Sequence, residues 1–499
     1  MEALFAPVPD PRTGYPAPYG PDHQPSGPGH PGPSQPGPAG QAPRRGHRDG
    51  TRRRRRQWGH DRRTHAMPVV ARPVSDRRLA MGRLAIMLTV TAWIGYFVWW
   101  LLKDLLNQEY SATVDRAESI MYLVIVTVLT ASSLAYLLSR LGYFYRTRSH
   151  HRASRAVLER FYDVTTPTLT TIVPSYQEDA RVIRNTLLSA ALQEYPGKRI
   201  VLLIDDPPTP RTEKARDLLR AARALPGEIE HLLAAPATRF TRALHNFEAE
   251  FGSGARPGFP VMVDLIQNYD AAIGWLENLA VQQEIADHAD SFFANEVVLR
   301  LSESLRAIAL ALRESLAEGA VLSPSQLRRL YRRLSWTFSA EVTSFERKQF
   351  VSLSHEPNKA TNLNSYIGLL GGSYRHAQTP AGVALVPASP ERSDLIVPDA
   401  DYVVTLDADS VLLPEYCLRL VHVLEQGEHR RTAIAQTPYS SFPGAATRIE
   451  RIAGATTDLQ HIVHQGLTYY DATFWVGANA VIRKRALDDI AETAYIGDW

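Results

Sequence analysis

Cysteine is almost absent from this 499-residue chain, with Cys417 the only one. A lone thiol excludes a disulfide framework and leaves no Cys/His spacing of the zinc-binding kind, which fits a reducing compartment. The sixteen His are scattered, and His461 and His464, three residues apart, do not make a metal site by themselves. Large aliphatic side chains are nearly missing from residues 1–43 after Leu4 and Val8, where Pro, Gly, Gln and His crowd together. That stretch has too little apolar surface to offset the entropy of ordering, so a disordered Pro/Gly-rich tail is expected. Charge is missing altogether from two runs, 84–102 and 119–139. Each is long enough to cross the hydrocarbon core, which takes about 20 residues of helix, so two transmembrane helices are expected.

Arginine is concentrated beside those runs. Between Arg44 and Arg83 there are fourteen Arg against three Asp, an excess of eleven positive charges in a chain whose net charge is only +3. The run Arg52 to Arg56 has the composition of a nucleic-acid patch, but the block abuts the first uncharged run, and a juxtamembrane segment over 44–83 with no nucleic-acid partner is the better reading. Arg140, Arg146, Arg148, Arg152 and Arg155 follow the second run. The connection between the runs carries Lys103, Asp104, Glu109, Asp115, Arg116 and Glu118, with no positive excess. The positive-inside rule then puts both flanks in the cytoplasm, making a multi-pass cell-membrane protein with its bulk cytoplasmic. The first run starts too late and is too long to be a cleaved signal peptide.

Beyond residue 168 the pattern alternates. LTTIVP (169–174) reads as a buried strand and SYQED as the turn after it. Apolar residues at helical spacing follow over 182–191, Pro196 and Gly197 stop that helix, and RIVLLI (199–204) is a second buried strand ending in Asp205 and Asp206. Strand–helix–strand with wholly apolar strands implies a parallel sheet covered on both faces. Residues 207–350 interrupt this pattern with helical periodicity, including a capping box at Ser323-Pro324-Ser325-Gln326, and read as a helical insertion. Its basic helix, 328–334, is expected to pack in the core.

The α/β pattern resumes over 351–499. SHEPNKATNLN (354–364) puts Lys359 in a loop ahead of a helix, where a cation can neutralise a pyrophosphate. DADYVVTLDADSVLLPEY delivers Asp407 and Asp409 at the end of an apolar β-branched run. Two residues apart on an extended chain share a face, so both carboxylates can meet one hard cation, Mg²⁺ or Mn²⁺, bridging a diphosphate. TAIAQTPYSSFPG (432–444) reads as a short strand and turn, and FWVGANAVIRKRAL (474–487) as a strand interrupted around Gly477 and Asn479. Open α/β sheets bind ligands beyond the carboxyl ends of their strands, and three acidic loops converge there.

In this order the segments resemble the membrane-embedded family 2 glycosyltransferases, in the cellulose-synthase-like and polysaccharide-synthase branch. IVPSYQED looks like that family's first nucleotide-binding segment, LLIDDP like its second-strand aspartate segment, and NKATNLN like its Lys-x-x-x-Leu-Asn motif. LDADS is similar to the metal-binding Asp-x-Asp, AQTPYSSFP to the Gln-Thr-Pro loop, and FWVGANAVIRKRAL to the Gly-x-Asn-Ala acceptor-side segment. The resemblance covers 168–206 and 355–490. It implies a GT-A-like, mostly parallel sheet with helices on both faces, split into 168–206 and 351–499 and preceded by the membrane hairpin. It also implies transfer of a sugar, with inversion, from a nucleoside-diphosphate sugar (a UDP-sugar) to a growing polysaccharide. A non-processive transferase acting on a lipid carrier, or a catalytically incomplete membrane scaffold, are the alternatives. The implied roles are nucleotide binding for Ser175, Tyr176, Glu178, Asp205 or Asp206, and Lys359; Mg²⁺ or Mn²⁺ binding for Asp407 and Asp409; and acceptor contact for Gly477 and Asn479. The family's carboxylate base and later membrane helices lie past the Gly-x-Asn-Ala segment. They are not found before Trp499, so an inactive, C-terminally truncated fragment is expected.

Overall fold

A computed structural model describes residues 73–106, 113–252, 254–437, 440–477 and 479–495. The expected tail, all but the end of the basic segment, Pro438 and Tyr439 of the Gln-Thr-Pro loop, and residues 496–499 lie outside them.

The described residues open with two long helices, α1 (Asp76–Leu106) and α2 (Thr113–Ser149). Both are longer than their uncharged runs, because the flanking Arg, Lys and Glu residues favour helix as well. By length and composition both are able to cross a membrane. Their apolar side chains face outward, with Leu88 60 % and Leu129 62 % exposed. Polar groups inside the pair turn to each other: Trp93 Nε1 donates to Thr127 Oγ1 at 3.2 Å and Trp100 Nε1 to Ser119 Oγ at 2.8 Å. A short helix, α3 (Arg155–Tyr162), leads into the α/β domain.

That domain is built on β1 (Leu169–Ser175), α4 (Ala180–Ala191) and β2 (Lys198–Ile204). The helical insertion follows as α5 (Glu213–Phe251), α6 (Phe259–Gln282), α7 (His288–Phe292), a π-helical stretch Phe293–Leu299, α8 (Arg300–Ala317) and α9 (Pro324–Phe338). The Ser323–Gln326 capping box starts α9 as its sequence requires. The basic residues of α9 are paired within the fold, Arg329 with Asp163 at 2.7 Å and Arg332 with Asp163 and Glu248 at 3.5 Å. β3 (Glu341–Phe345) lies inside the stretch read as helical; it is short and only two of its five residues are buried.

Next come α10 (Lys359–Ile367), β4 (Ser373–Thr379), β5 (Gly382–Pro387), β6 (Leu395–Ile396), β7 (Tyr402–Thr405), α11 (Tyr416–Glu425), β8 (Ile434–Gln436), α12 (Arg448–Tyr469), β9 (Ala480–Arg483) and α13 (Lys484–Tyr495). The main sheet has the order β3-β2-β1-β7-β9-β8. β1, β2, β3 and β7 run parallel, while β9 runs antiparallel to both β7 and β8. The sheet is therefore mixed rather than wholly parallel. β4, β5 and β6 form a separate antiparallel sheet that the residue pattern does not announce, because β4 (SYRHAQT) has few apolar side chains.

Strand periodicity divides the core in two. Ile172, Val201, Leu203 and Val403 point to one face, against α10 and the small sheet. Val173, Ile200, Leu202, Ile204 and Val404 point to the other, where the insertion packs. The residues after β1, β2 and β7 come out at one edge, since Ser175 is level with Ile204 and Ile172 with Thr405.

Candidate active site

The turn after β1 is sharp. Gln177 has φ of 52°, a left-handed conformation uncommon for a side chain other than glycine. That turn points the Gln177 N–H at Asp206, whose Oδ2 accepts it at 3.3 Å. Tyr176 projects outward, half exposed, with the Lys348 ammonium 5.8 Å from its ring centre. Asp179 caps α4 by accepting from the Arg181 N–H at 2.8 Å.

The two acids after β2 have different surroundings. Asp205 is paired with Arg347 at 2.7 Å and Lys348 at 3.3 Å. Asp206 is 3 % exposed, yet its Oδ1 has no hydrogen-bond partner among the described residues. Burial pushes the Asp206 pKa up; the Gln177 N–H and Lys348 oppose that rise, and Asp205 and Glu346 add to it. A buried acceptor left unsatisfied costs about 1–3 kcal/mol, so this oxygen can take a donor from a ligand or a water.

Lys359 is not in a loop but is the first residue of α10, behind the cap formed by Asn358 Oδ1 and the Thr361 N–H at 2.7 Å. Asn362 on the same helix donates to the Leu203 carbonyl at 3.0 Å, holding α10 at the end of β2. From there the Lys359 ammonium reaches Asp407 Oδ1. Asp407 and Asp409 themselves come after β7 in a turn, closed by the Ser410 N–H on the Asp407 carbonyl at 3.0 Å, and not on an extended chain. The turn, rather than strand alternation, therefore sets where the two carboxylates lie. Asp409 is exposed and faces Glu178; burial and the Asp409 charge together raise the Glu178 pKa.

Asn479 lies behind this turn. Its φ is 55°. Its Oδ1 accepts from the Asp407 N–H at 3.2 Å, its Nδ2 donates to Ser410 Oγ at 3.0 Å, and its carbonyl accepts from the Tyr416 hydroxyl at 2.6 Å. With 7 % exposure it buttresses the acidic turn from beneath. Gly477, also at positive φ (63°), is two residues away. The structure thus brings Tyr176, Glu178, Asp206, Lys359, Asp407 and Asp409 to one edge of the sheet, with Ser175 buried in the strand end below. Arg347 and Lys348 join them. Neither is legible from the sequence, because ERK sits in no recognisable motif and β3 before it has too weak an apolar pattern to read as a strand.

Among the described residues no three His, Cys, Asp or Glu side chains cluster as a self-sufficient metal site. Two carboxylates at an exposed turn still fit Mg²⁺ or Mn²⁺, since such ions are commonly held by one or two carboxylates together with substrate phosphates.

Residues 402–499, from β7 through the acidic turn to the end of the chain, match the model of a family described as glycosyl transferase family group 2. No curated protein matches the chain. The match and the mixed, mainly parallel sheet support a glycosyltransferase domain with a GT-A-like fold.

Proposed function

We propose that the chain is a membrane-anchored, inverting glycosyltransferase that takes a sugar from a UDP-sugar and passes it to a growing polysaccharide. The observation that carries the donor half is the unsatisfied, buried Asp206 Oδ1 next to the exposed Tyr176 ring. Uracil offers an N–H for that oxygen and a flat face for the ring. The diphosphate would then extend along the sheet edge toward Lys359, Asp407 and Asp409. Mg²⁺ or Mn²⁺ held by Asp407 and Asp409 would supply charge neutralisation for the leaving diphosphate. Lys359 brings a fixed positive charge to the same place, where it can stabilise charge developing on the leaving oxygen. The acceptor hydroxyl needs a general base on the opposite face of the sugar, and no described residue is given that role. The Gly477–Asn479 side of the acidic turn would border the acceptor. The exposed apolar surface of α1 and α2, with Arg on both outer flanks, supports a membrane hairpin whose two ends are cytoplasmic.

Calorimetric titration of the detergent-solubilised chain with UDP and Mn²⁺ tests the donor site. Removing a hydrogen bond to a charged group costs about 1.5–3 kcal/mol, so Asp206→Ala should weaken UDP roughly 10- to 150-fold. Equal affinity in the wild type and the variant would refute the nucleobase assignment.

A further inference from the structure

Helices α5–α9 supply no side chain to the donor site just described, but one short piece, α7, touches both the start of α4 and the loop that follows β8. Asp290 on α7 is 1 % exposed. It pairs with Arg181, two residues past the donor turn's cap, and accepts from Asn185 Nδ2 at 2.8 Å. The N–H groups of Ala286 and Asp287 also donate to it, at 3.0 and 3.1 Å. Asp287 pairs with Arg181 at 3.1 Å. These bonds fasten α7 to the start of α4. The outer face of α7 meets the loop 440–446, which follows β8. The Phe442 ring lies 5.0 Å from that of Phe292 and 6.4 Å from that of His288. On its far side the loop is held by α12: Ser440 Oγ donates to Asp458 at 2.9 Å, and Arg451 donates to the Ala445 and Ala446 carbonyls, each at 2.9 Å. The loop leaves the sheet at Gln436, which is paired with Ala480 next to Asn479 and so borders the acidic turn.

We infer that the insertion is a positioning strut: α7 ties the loop 440–446 to the donor turn 175–181, so that nucleotide binding at the turn also holds the loop closed beside the acceptor side of the cleft. This rests on the UDP-donor reading above. The positioning residues are Phe442, Phe292 and His288 on the loop side, and Asp287 and Asp290 on the turn side. The physical basis is shared local opening. Segments that come apart together are protected together by a ligand that binds only the closed form. At a UDP concentration about 100 times Kd, that protection corresponds to roughly hundredfold slower amide exchange in every segment that opens as part of the same unit.

The test is hydrogen exchange on the full chain in detergent, with Mn²⁺, with and without UDP, in the wild type, Phe442→Ala and Phe292→Ala. Phe442 and Phe292 are partly exposed, so truncating either ring leaves the core intact. UDP is expected to slow exchange in both 175–181 and 440–446 of the wild type. In either variant, UDP should still slow 175–181, with unchanged affinity, but no longer slow 440–446. Protection of the wild-type turn without the loop would overturn the strut. Loop protection that persists in both variants would also overturn it, because UDP would then touch the loop directly. No UDP binding in the wild type would overturn the donor reading and this inference together, and the absence of binding heat distinguishes that result.

Discussion

Asp205 and Asp206 are neighbours of the same type at the end of one strand, yet they have different fates. Asp205 Oδ1 is ion-paired with Arg347 and Lys348, while Asp206 Oδ1 has neither an ion pair nor a hydrogen bond among the described residues. Adjacent acids at a strand end are legible as a candidate site; which of them is available to a ligand is not. The answer depends on cations about 140 residues further along the chain, brought close only when β3 pairs with β2. Asp407 and Asp409 were legible for a similar reason, since an apolar β-branched run ending in acids is a local signal. Their buttress by Asn479 was not, because it depends on β9 pairing antiparallel to β7. Asp409→Asn is expected to abolish Mn²⁺-dependent UDP binding and Asp407→Asn to weaken it, with the melting temperature little changed. The swap removes one anionic oxygen from a hard-cation site while keeping the side-chain shape. Mn²⁺ titration followed by electron paramagnetic resonance, with UDP present, measures it; bound Mn²⁺ at wild-type level in both variants would contradict the assignment.

Among elements, α3, α4, α9 and α11 are joined through one buried carboxylate. Glu194, just beyond α4, takes Arg155 of α3 at 2.6 Å and Arg333 of α9 at 2.7 Å, and Arg155 continues to Glu415, the residue before α11, at 3.3 Å. Burial works against the charged form of Glu194, but the Arg333 and Arg155 charges outweigh it and hold its pKa down at about 2. A folded-state pKa below the unfolded value gives stability that is complete above the ordinary glutamate range, near 4.5, and lost as pH falls toward 2. Glu194→Gln should cost about 3 kcal/mol near pH 7, because it leaves Arg333 buried without its counter-charge. Urea denaturation between pH 7 and pH 3 checks both points. The gap between wild type and variant should narrow below about pH 4.5, where Glu194 begins to lose its advantage; a gap constant with pH would contradict the linkage. Helix existence was legible over most of these elements from spacing and caps, as at Ser323. The length of α5 was not, because Pro226 and Pro236 sit inside it and read as breaks.

At the scale of the whole molecule, the pair of long apolar helices α1 and α2 is not an isolated appendage. α12 packs along the last turns of α2, where Gly466 meets Ser139 and Gly142 so closely that a β-carbon at Gly466 would overlap the Ser139 carbonyl. The Tyr145 and Tyr469 rings stack 5.1 Å apart in the same contact. Nothing in the local pattern of α12 announces this, since a close helix crossing depends on small residues coming together from distant parts of the chain. The topology proposed for the pair is checked by reporter fusions at residues 60, 110 and 160. Cytoplasmic signals are expected at 60 and 160 with an external signal at 110, and a cytoplasmic signal at 110 would refute the hairpin.

The central claim is that the donor nucleotide binds where the turns after β1, β2 and β7 meet. A photoreactive UDP carrying an azide on the uracil ring addresses it most directly, applied with Mn²⁺ to membranes containing the full chain and followed by peptide mapping. Labelling is expected within 175–181 or 346–349, beside Tyr176, Asp206 and Lys348, competed away by excess UDP and reduced in Asp206→Ala. Labelling confined to other peptides, or labelling that excess UDP does not displace, would contradict it.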